Sequence, residues 1–401
     1  MNSAWRRSVD DLESASATMT RRGWSDAPPV TVAIPFEYSS AWAAQTSFLR
    51  AVAVSMHMAR HRHGRVFVIN VSGDAGENAL STDVRELCIP VEREVWFDHA
   101  ARNALLASLE IDCVFSLFGL PPVVEGFGLV GWIADFQHFR MPEFFSQTEI
   151  SARDAHFGDI IARCDRVLLS SRDSERDCIR FSPAALGKTR VHPFPSGLIF
   201  QPTPTTNIVA KYHLPEKYAL VANQFWAHKN HLTVIEAARQ IAERGLHLPI
   251  VLTGLPADYR DPSNSLISKV LQGIAAGGLR ASVIPLGQVP YPDLVALLRS
   301  AALIIQPSRF EGWSTTVQDA KALGRPVACS SIAVHREQAP EAIGFFRPTE
   351  AGELAALLER EWPRLSAGPD LETERIALAR ERCFALDYGR ALLQTCAEAT
   401  G

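Results

Sequence analysis

The stretch Pro307-Ser308-Arg309-Phe310-Glu311-Gly312-Trp313-Ser314-Thr315-Thr316-Val317-Gln318-Asp319 holds the densest run of chemistry-bearing side chains in the sequence. It follows an apolar run at 303–306, so it reads as a loop leaving a buried strand and opening a helix. Glu311 falls in that loop, with Trp313 two residues on, and Gly312 lets a backbone approach a ligand closely. Ser314 or Thr315 can cap the helix, and Thr315 and Gln318 stand at capping-box spacing. Free N–H groups around Thr315 and Thr316, added to the helix dipole, make a diphosphate site. Asp319 lies one turn past Thr315 on the same face, where a carboxylate can meet a ribose diol. The same residues also suit a polar loop with ordinary capping.

A second segment, Ala222-Asn223-Gln224-Phe225-Trp226-Ala227-His228-Lys229-Asn230, again stands between a strand and a helix. Only six of the 40 basic residues are lysine, and Lys229 sits where the helix begins. A cation there is unfavourable with the helix dipole unless an anion is nearby, which points Lys229 at a phosphate. His228 and His231 read as surface or packing residues. A third segment, Trp132-Ile133-Ala134-Asp135-Phe136-Gln137-His138-Phe139, brings His138 and Asp135 to the end of a strand. There they suit a sugar hydroxyl or a developing charge; a satisfied histidine beside a structural aspartate fits equally well.

Two patterns are set aside. Gly126-Phe127-Gly128-Leu129-Val130-Gly131 matches the dinucleotide fingerprint by letter but follows Pro121-Pro122 and runs into a strand, the wrong context. His57, His61 and His63 have no carboxylate or thiol beside them, so they read as a solvated basic helix end and not as a metal site. No metal is expected, because Asp-x-Asp, the usual anchor of a metal-bridged nucleotide diphosphate, does not occur.

The elements that must carry these segments alternate. Short apolar runs at 30–35, 65–71, 111–117, 129–134 and 165–171 read as buried parallel strands, with a helix over 46–60. A proline-rich stretch, 193–204, breaks the rhythm as a linker or hinge. Strands then resume at 218–222, 249–254, 282–286 and 303–306, with a helix over 230–244. The fold class is α/β, two doubly wound Rossmann-like halves, whose ligands bind beyond the carboxyl ends of the strands. The expected divisions are a polar tail at 1–28, a first domain at 29–200, a second at 201–375, and a C-terminal helical segment, 376–401, crossing back to the first.

Composition agrees with this reading. The 401 residues are 47% hydrophobic and 21% charged, which excludes a disordered or collagenous chain and suits two or three domains. A net charge of −4 gives no reason to expect a nucleic-acid partner. No apolar run approaches the roughly 18 residues of a membrane span. Seven scattered cysteines without a Cys-x-x-Cys read as reduced thiols in a cytoplasmic protein.

At this point the residues carry a resemblance. Pro307-Ser308 through Glu311-Gly312, the acidic pair Glu311 and Asp319, and Gly324-Arg325-Pro326-Val327 resemble glycosyltransferase family four, the group 1 glycosyltransferases of GT-B fold. Asp319 stands where that family has a second Glu. Asn223-Gln224-Phe225-Trp226 with His228-Lys229-Asn230 is similar to the donor-phosphate segment of one branch, although many members have Gly-Arg in place of Asn223-Gln224. Trp132 to His138 resembles the same branch, while Tyr38-Ser39-Ser40-Ala41 stands where a glycine pair is usual. The resemblance implies sugar transfer from a nucleotide-diphosphate donor with retention of configuration, without a metal or cofactor. It implies that Lys229, Asn223, Gln224, Thr315 and Thr316 serve the donor phosphates, that Glu311 holds the sugar, that His138 orients it, and that Asp319 holds the ribose. Gly312, Trp313 and Gln288 fall at the donor, the last beside the base. The implied acceptor is a glycan or lipid-linked glycan of cell-surface polysaccharide, a lipid being met at the inner membrane face through Arg60-His61-Arg62-His63. A non-catalytic nucleotide-sugar-binding protein and a GT-B-like epimerase are the alternatives.

Overall fold

A computed structural model of the chain describes residues 28–38, 45–117, 119, 125–200, 204 and 206–401. The chain forms two compact units. One holds residues up to Phe139, with Gln147–Gly197 and Arg380–Gly401; the other holds Arg140–Ser146 and Leu198–Ala379. The segment 140–146, expected within the first domain, thus clusters with the second unit. There the Phe145 ring lies 5.4 Å from the Arg260 guanidinium. The helix Leu371–Ala399 starts in the second unit, and its residues from Arg380 belong to the first. In the first unit Glu398 accepts hydrogen bonds from Arg166 and Arg190, and Glu381 accepts one from the Ser196 N–H. The tail at 1–27 and residues 39–41 and 201–203 lie outside the described residues.

The sheet of the first unit contains β1 (Val32–Phe36), β2 (Val66–Asn70), β3 (Cys88–Pro90), β4 (Cys113–Ser116), β5 (Gly128–Trp132), β6 (Arg166–Leu169) and β7 (Thr189–Val191). Their order is β3-β2-β1-β4-β5-β6-β7, parallel throughout. The set-aside glycine run enters β5 directly. A Cβ on Gly131 would stand 2.6 Å from the Cys164 sulfur, so this glycine serves packing and not a dinucleotide.

The second sheet contains β8 (Ala219–Ala222), β9 (Ile250–Thr253), β10 (Val283–Gly287), β11 (Leu303–Gln306), β12 (Val327–Ser330) and β13 (Gly344–Phe346). It is also parallel, in the order β10-β9-β8-β11-β12-β13. Side chains alternate across it as the pleat requires. Ala219, Val221, Leu303 and Ile305 enter one core cluster, and Leu220 and Ile304 enter the cluster on the other face. Both faces are covered, which is why these strands read as unbroken apolar runs. Strand order reverses between β8 and β11, so the crevice at their carboxyl ends is where a doubly wound sheet takes its ligand. Leu303 pairs with Ala219, which sets Gln306 level with Ala222 at that crevice.

Candidate functional site

Two loops meet at the reversal point, one leaving β8 at Ala222 and one leaving β11 at Gln306. Between them runs a chain of polar side chains. The Asn223 Nδ2 donates to Gln306 Oε1 at 2.8 Å, and Gln306 Nε2 donates to Glu311 Oε1 at 2.9 Å and to Ser308 Oγ at 3.2 Å. Lys229 Nζ donates to the same Glu311 Oε1 at 2.7 Å. The ion pair is largely enclosed, its side chains 16% and 9% exposed. Both hydrogen bonds to the carboxylate land on one oxygen; Oε2 takes none among the described residues.

The anion that answers Lys229 is therefore Glu311 in this structure. The dipole argument asked for negative charge beside the helix start, and a carboxylate five residues past the end of β11 supplies it. Asn230 follows at φ +60° and ties the two loops together. Its Nδ2 donates to the carbonyls of Pro307 and Pro348, at 3.0 and 2.7 Å.

The helix after Glu311 is Thr315–Ala322, and its N-cap is Ser314, whose Oγ accepts from the Val317 N–H. Thr315 does not cap, and the expected Thr315–Gln318 box does not form, because Gln318 is buried toward Gln338. Gln338 instead grips the helix start. Its Oε1 accepts from the Ser314 N–H at 3.0 Å, while its Nε2 donates to Ser314 O at 2.7 Å and to Gln318 Oε1 at 3.3 Å. Thr316 Oγ1 donates to the Ala222 carbonyl at 2.9 Å, so this hydroxyl locks the helix to the end of β8 and is not turned to a phosphate. What remains for an anion are the N–H groups of Thr315 and Thr316, which the first turn leaves without helical partners. Gly324, at φ +64°, ends the helix where the sequence places a stop.

The remaining candidates are placed as follows. Gly312 is buried, Gln224, Trp313 and Asp319 are half-buried, and Gln288 is exposed beyond β10. Gly254 closes β9 so tightly on Asn223 that a Cβ would stand 2.0 Å from the Asn223 carbonyl oxygen. His228 and His231 are buried packing residues. Burial holds His228 well below its ordinary range, helped by the nearby charges of Lys229 and Arg260, and lowers His231 to about 3. The His231 ring stacks on Phe225 at 4.3 Å. In the first unit, His138 is enclosed by Phe136, Phe157 and Phe181, and its Nε2 lies 3.1 Å from Asp154 Oδ1. Burial outweighs that carboxylate and lowers its affinity for a proton.

Three site residues escaped the sequence reading. Gln306 reads in the sequence as the end of a strand, although a glutamine closing an otherwise apolar run is itself a signal. Gln338 lies 24 residues from its partner Ser314, beyond any local pattern. Arg260 has its guanidinium 4.9 Å from the Trp226 ring, and both the guanidinium, at 2.9 and 3.1 Å, and its backbone N–H, at 3.1 Å, donate to the Asp258 carboxylate.

Residues 206–360 match the family described as glycosyl transferases group 1. O-antigen chain mannosyltransferase B of Escherichia coli is 23% identical over 216 residues, 52% of this chain and 54% of that protein. The chain thus spans about half the length of this curated relative. Sucrose-phosphate synthase from Thermosynechococcus elongatus superposes with a TM-score of 0.62 at 17% identity, covering 91% of this chain and 97% of that one. HepE from Anabaena in complex with UDP gives 0.61 at 16% identity, covering 92% and 98%.

Proposed function

We propose that the chain is a group 1 glycosyl transferase, a reading supported by the match over residues 206–360 and by the GT-B fold it shares with its structural neighbours, and that it catalyses a retaining transfer reaction that needs no metal. The donor is a nucleoside-diphosphate sugar, and the acceptor a glycan or lipid-linked glycan in polysaccharide assembly. The UDP bound by HepE and the O-antigen role in the name of the E. coli relative support donor and acceptor respectively.

The observation that carries the reading is the Lys229–Glu311 pair beside the open N–H groups of Thr315 and Thr316. A diphosphate arriving at this helix start brings more negative charge than one carboxylate. It draws Lys229 from Glu311 and takes the two N–H groups, so charge developing on the departing phosphate meets donors already in place. Glu311 Oε2 is then the acceptor for a hydroxyl of the sugar. Asp319, half-buried one turn along the helix, takes the ribose, while Gly312, Trp313, Gln224 and Gln288 line the donor. Asn223 acts through Gln306. A lipid-borne acceptor brings the protein to a membrane surface, and Arg60, Arg62 and His63 are exposed for it. No helix among the described residues is long and apolar enough to cross a membrane.

The test is a panel of UDP-, GDP-, ADP- and dTDP-sugars offered with oligosaccharide and lipid-linked acceptors, with and without EDTA. The expected result is nucleoside diphosphate release matched by a new glycosidic bond of the donor's anomeric configuration, unaffected by EDTA. An inverted linkage or loss of turnover with EDTA removes the mechanism. A donor that is bound and never transferred supports a binding protein, and a donor recovered as its epimer supports an epimerase.

A further inference from the structure

We propose that Gln306 is a positioning residue for the transfer reaction. Its amide holds the Glu311 carboxylate by Oε1 so that Oε2 faces the donor sugar, and keeps hold when Lys229 turns to the diphosphate. This inference rests on the transferase reading above.

Gln306 is fully buried, the last residue of β11 and level with the end of β8 at the point where strand order reverses. Its amide has no freedom of orientation. A carboxylate has no hydrogen to give, so Nε2 must face Glu311 and Oε1 must face Asn223, whose Nδ2 must then donate. The charge on Glu311 thereby sets the polarity of every link back to β8. With Lys229 in place the carboxylate has two donors on Oε1. Once the lysine moves, a carboxylate only 9% exposed has lost its counter-charge, which is costly unless another donor compensates. The Gln306 N–H is that donor, and its bond to a charged acceptor is of the stronger kind.

Among the described residues, Lys229 pairs with Glu311 and the His335 ring is near enough to feel its charge. The His335 ring, wholly buried on the helix Ala333–Gln338, has its Nδ1 against the carbonyl and hydroxyl of Ser330. Burial lowers it to about 4, against a smaller pull from Glu311, so it stays neutral through the assay range. Ser308, the third partner of Gln306, does not titrate.

The experiment compares wild type, Gln306→Leu and Gln306→Glu by kcat and KM for the transferred donor between about pH 5 and about pH 8. Gln306→Leu removes the donor and is expected to lower kcat at least about tenfold at every pH tested, with a smaller change in KM. Gln306→Glu keeps the volume and the acceptor for Asn223. Its carboxyl can donate to Glu311 only when the two carboxyls share a proton. It is therefore expected to be weakest relative to wild type near pH 8 and to recover toward wild type as pH falls. A Gln306→Glu profile of wild-type shape overturns the proposal, as does Gln306→Leu with wild-type kcat. A Gln306→Glu protein unfolded at pH 5 while wild type stays folded there, where the shared proton restores the bond to Glu311 and the acceptor for Asn223 remains, also overturns it. If Gln306→Leu does not fold, the Gln306→Glu profile decides alone. Absence of turnover by wild type across the panel removes the transferase reading and this inference together; wild-type turnover with unchanged variant profiles removes only this inference.

Discussion

Lys229 and Glu311 are each largely shielded from water, and each is the other's counter-charge. In such a place a single truncation does more than delete a contact; it leaves a charge unpaired. Lys229→Ala is expected to lower transfer about 10²- to 10³-fold, the scale of losing one preorganised donor to developing charge. Lys229→Arg keeps the charge but replaces a compact ammonium with a planar fork, and only part of the rate should return. Initial rates on a transferred donor check both, with thermal melts to separate activity from folding. Equal rates for Lys229→Ala and wild type would remove Lys229 from the mechanism. The rarity of lysine singled this residue out in the sequence. That its resting partner is Glu311 was not visible there, since 82 residues separate the two.

At the scale of elements, the helix Thr315–Ala322 offers its first N–H groups only because other elements hold its start. Gln338 brackets Ser314 from both sides of its peptide, and Thr316 bonds back to the carbonyl of Ala222. Gln338→Ala leaves the buried Ser314 N–H unsatisfied and takes one of two donors from its C=O, which keeps the Gln318 N–H at 3.1 Å, and should cost about 2 kcal/mol and raise the donor KM. Thr316→Val loses one hydroxyl bond, about 1 kcal/mol, and should shift KM less. Urea denaturation and donor titration measure both; a Gln338→Ala protein with wild-type stability and KM would show that the helix start holds itself. Helix and strand positions were legible because buried parallel strands leave unbroken apolar runs. The three-residue strands β3, β7 and β13, each at a sheet edge and largely half-buried, leave no such run, and the buried β12, only four residues long and ending in Cys329-Ser330, does not stand out either.

Over the whole second unit, His228, His231 and His335 are buried and held neutral, the last two at about 3 and about 4. In the unfolded chain each takes up a proton near its ordinary pKa of about 6.5. Above that pH neither state is protonated and the histidines leave stability unchanged. As pH falls from there toward 4, the unfolded state binds protons that the folded state refuses, and stability declines. Each histidine contributes up to about 1.4 kcal/mol per pH unit. Urea unfolding at pH 7, 6 and 5 should show a progressive loss, partly relieved by His231→Phe, which keeps the stack on Phe225. A stability that is flat across this range would contradict their burial. The sequence by itself determined the alternation of strand and helix, the division into two α/β halves, and the two loops where chemistry gathers. Those follow from local apolar pattern and turn chemistry. Only the tertiary structure decided that Asn223 and Thr316 turn inward, that Gln306 joins β8 to Glu311, and that Ser314 caps with Gln338 behind it. A polar side chain's partner is set by which strand ends lie side by side, and strand order is a property of the folded sheet.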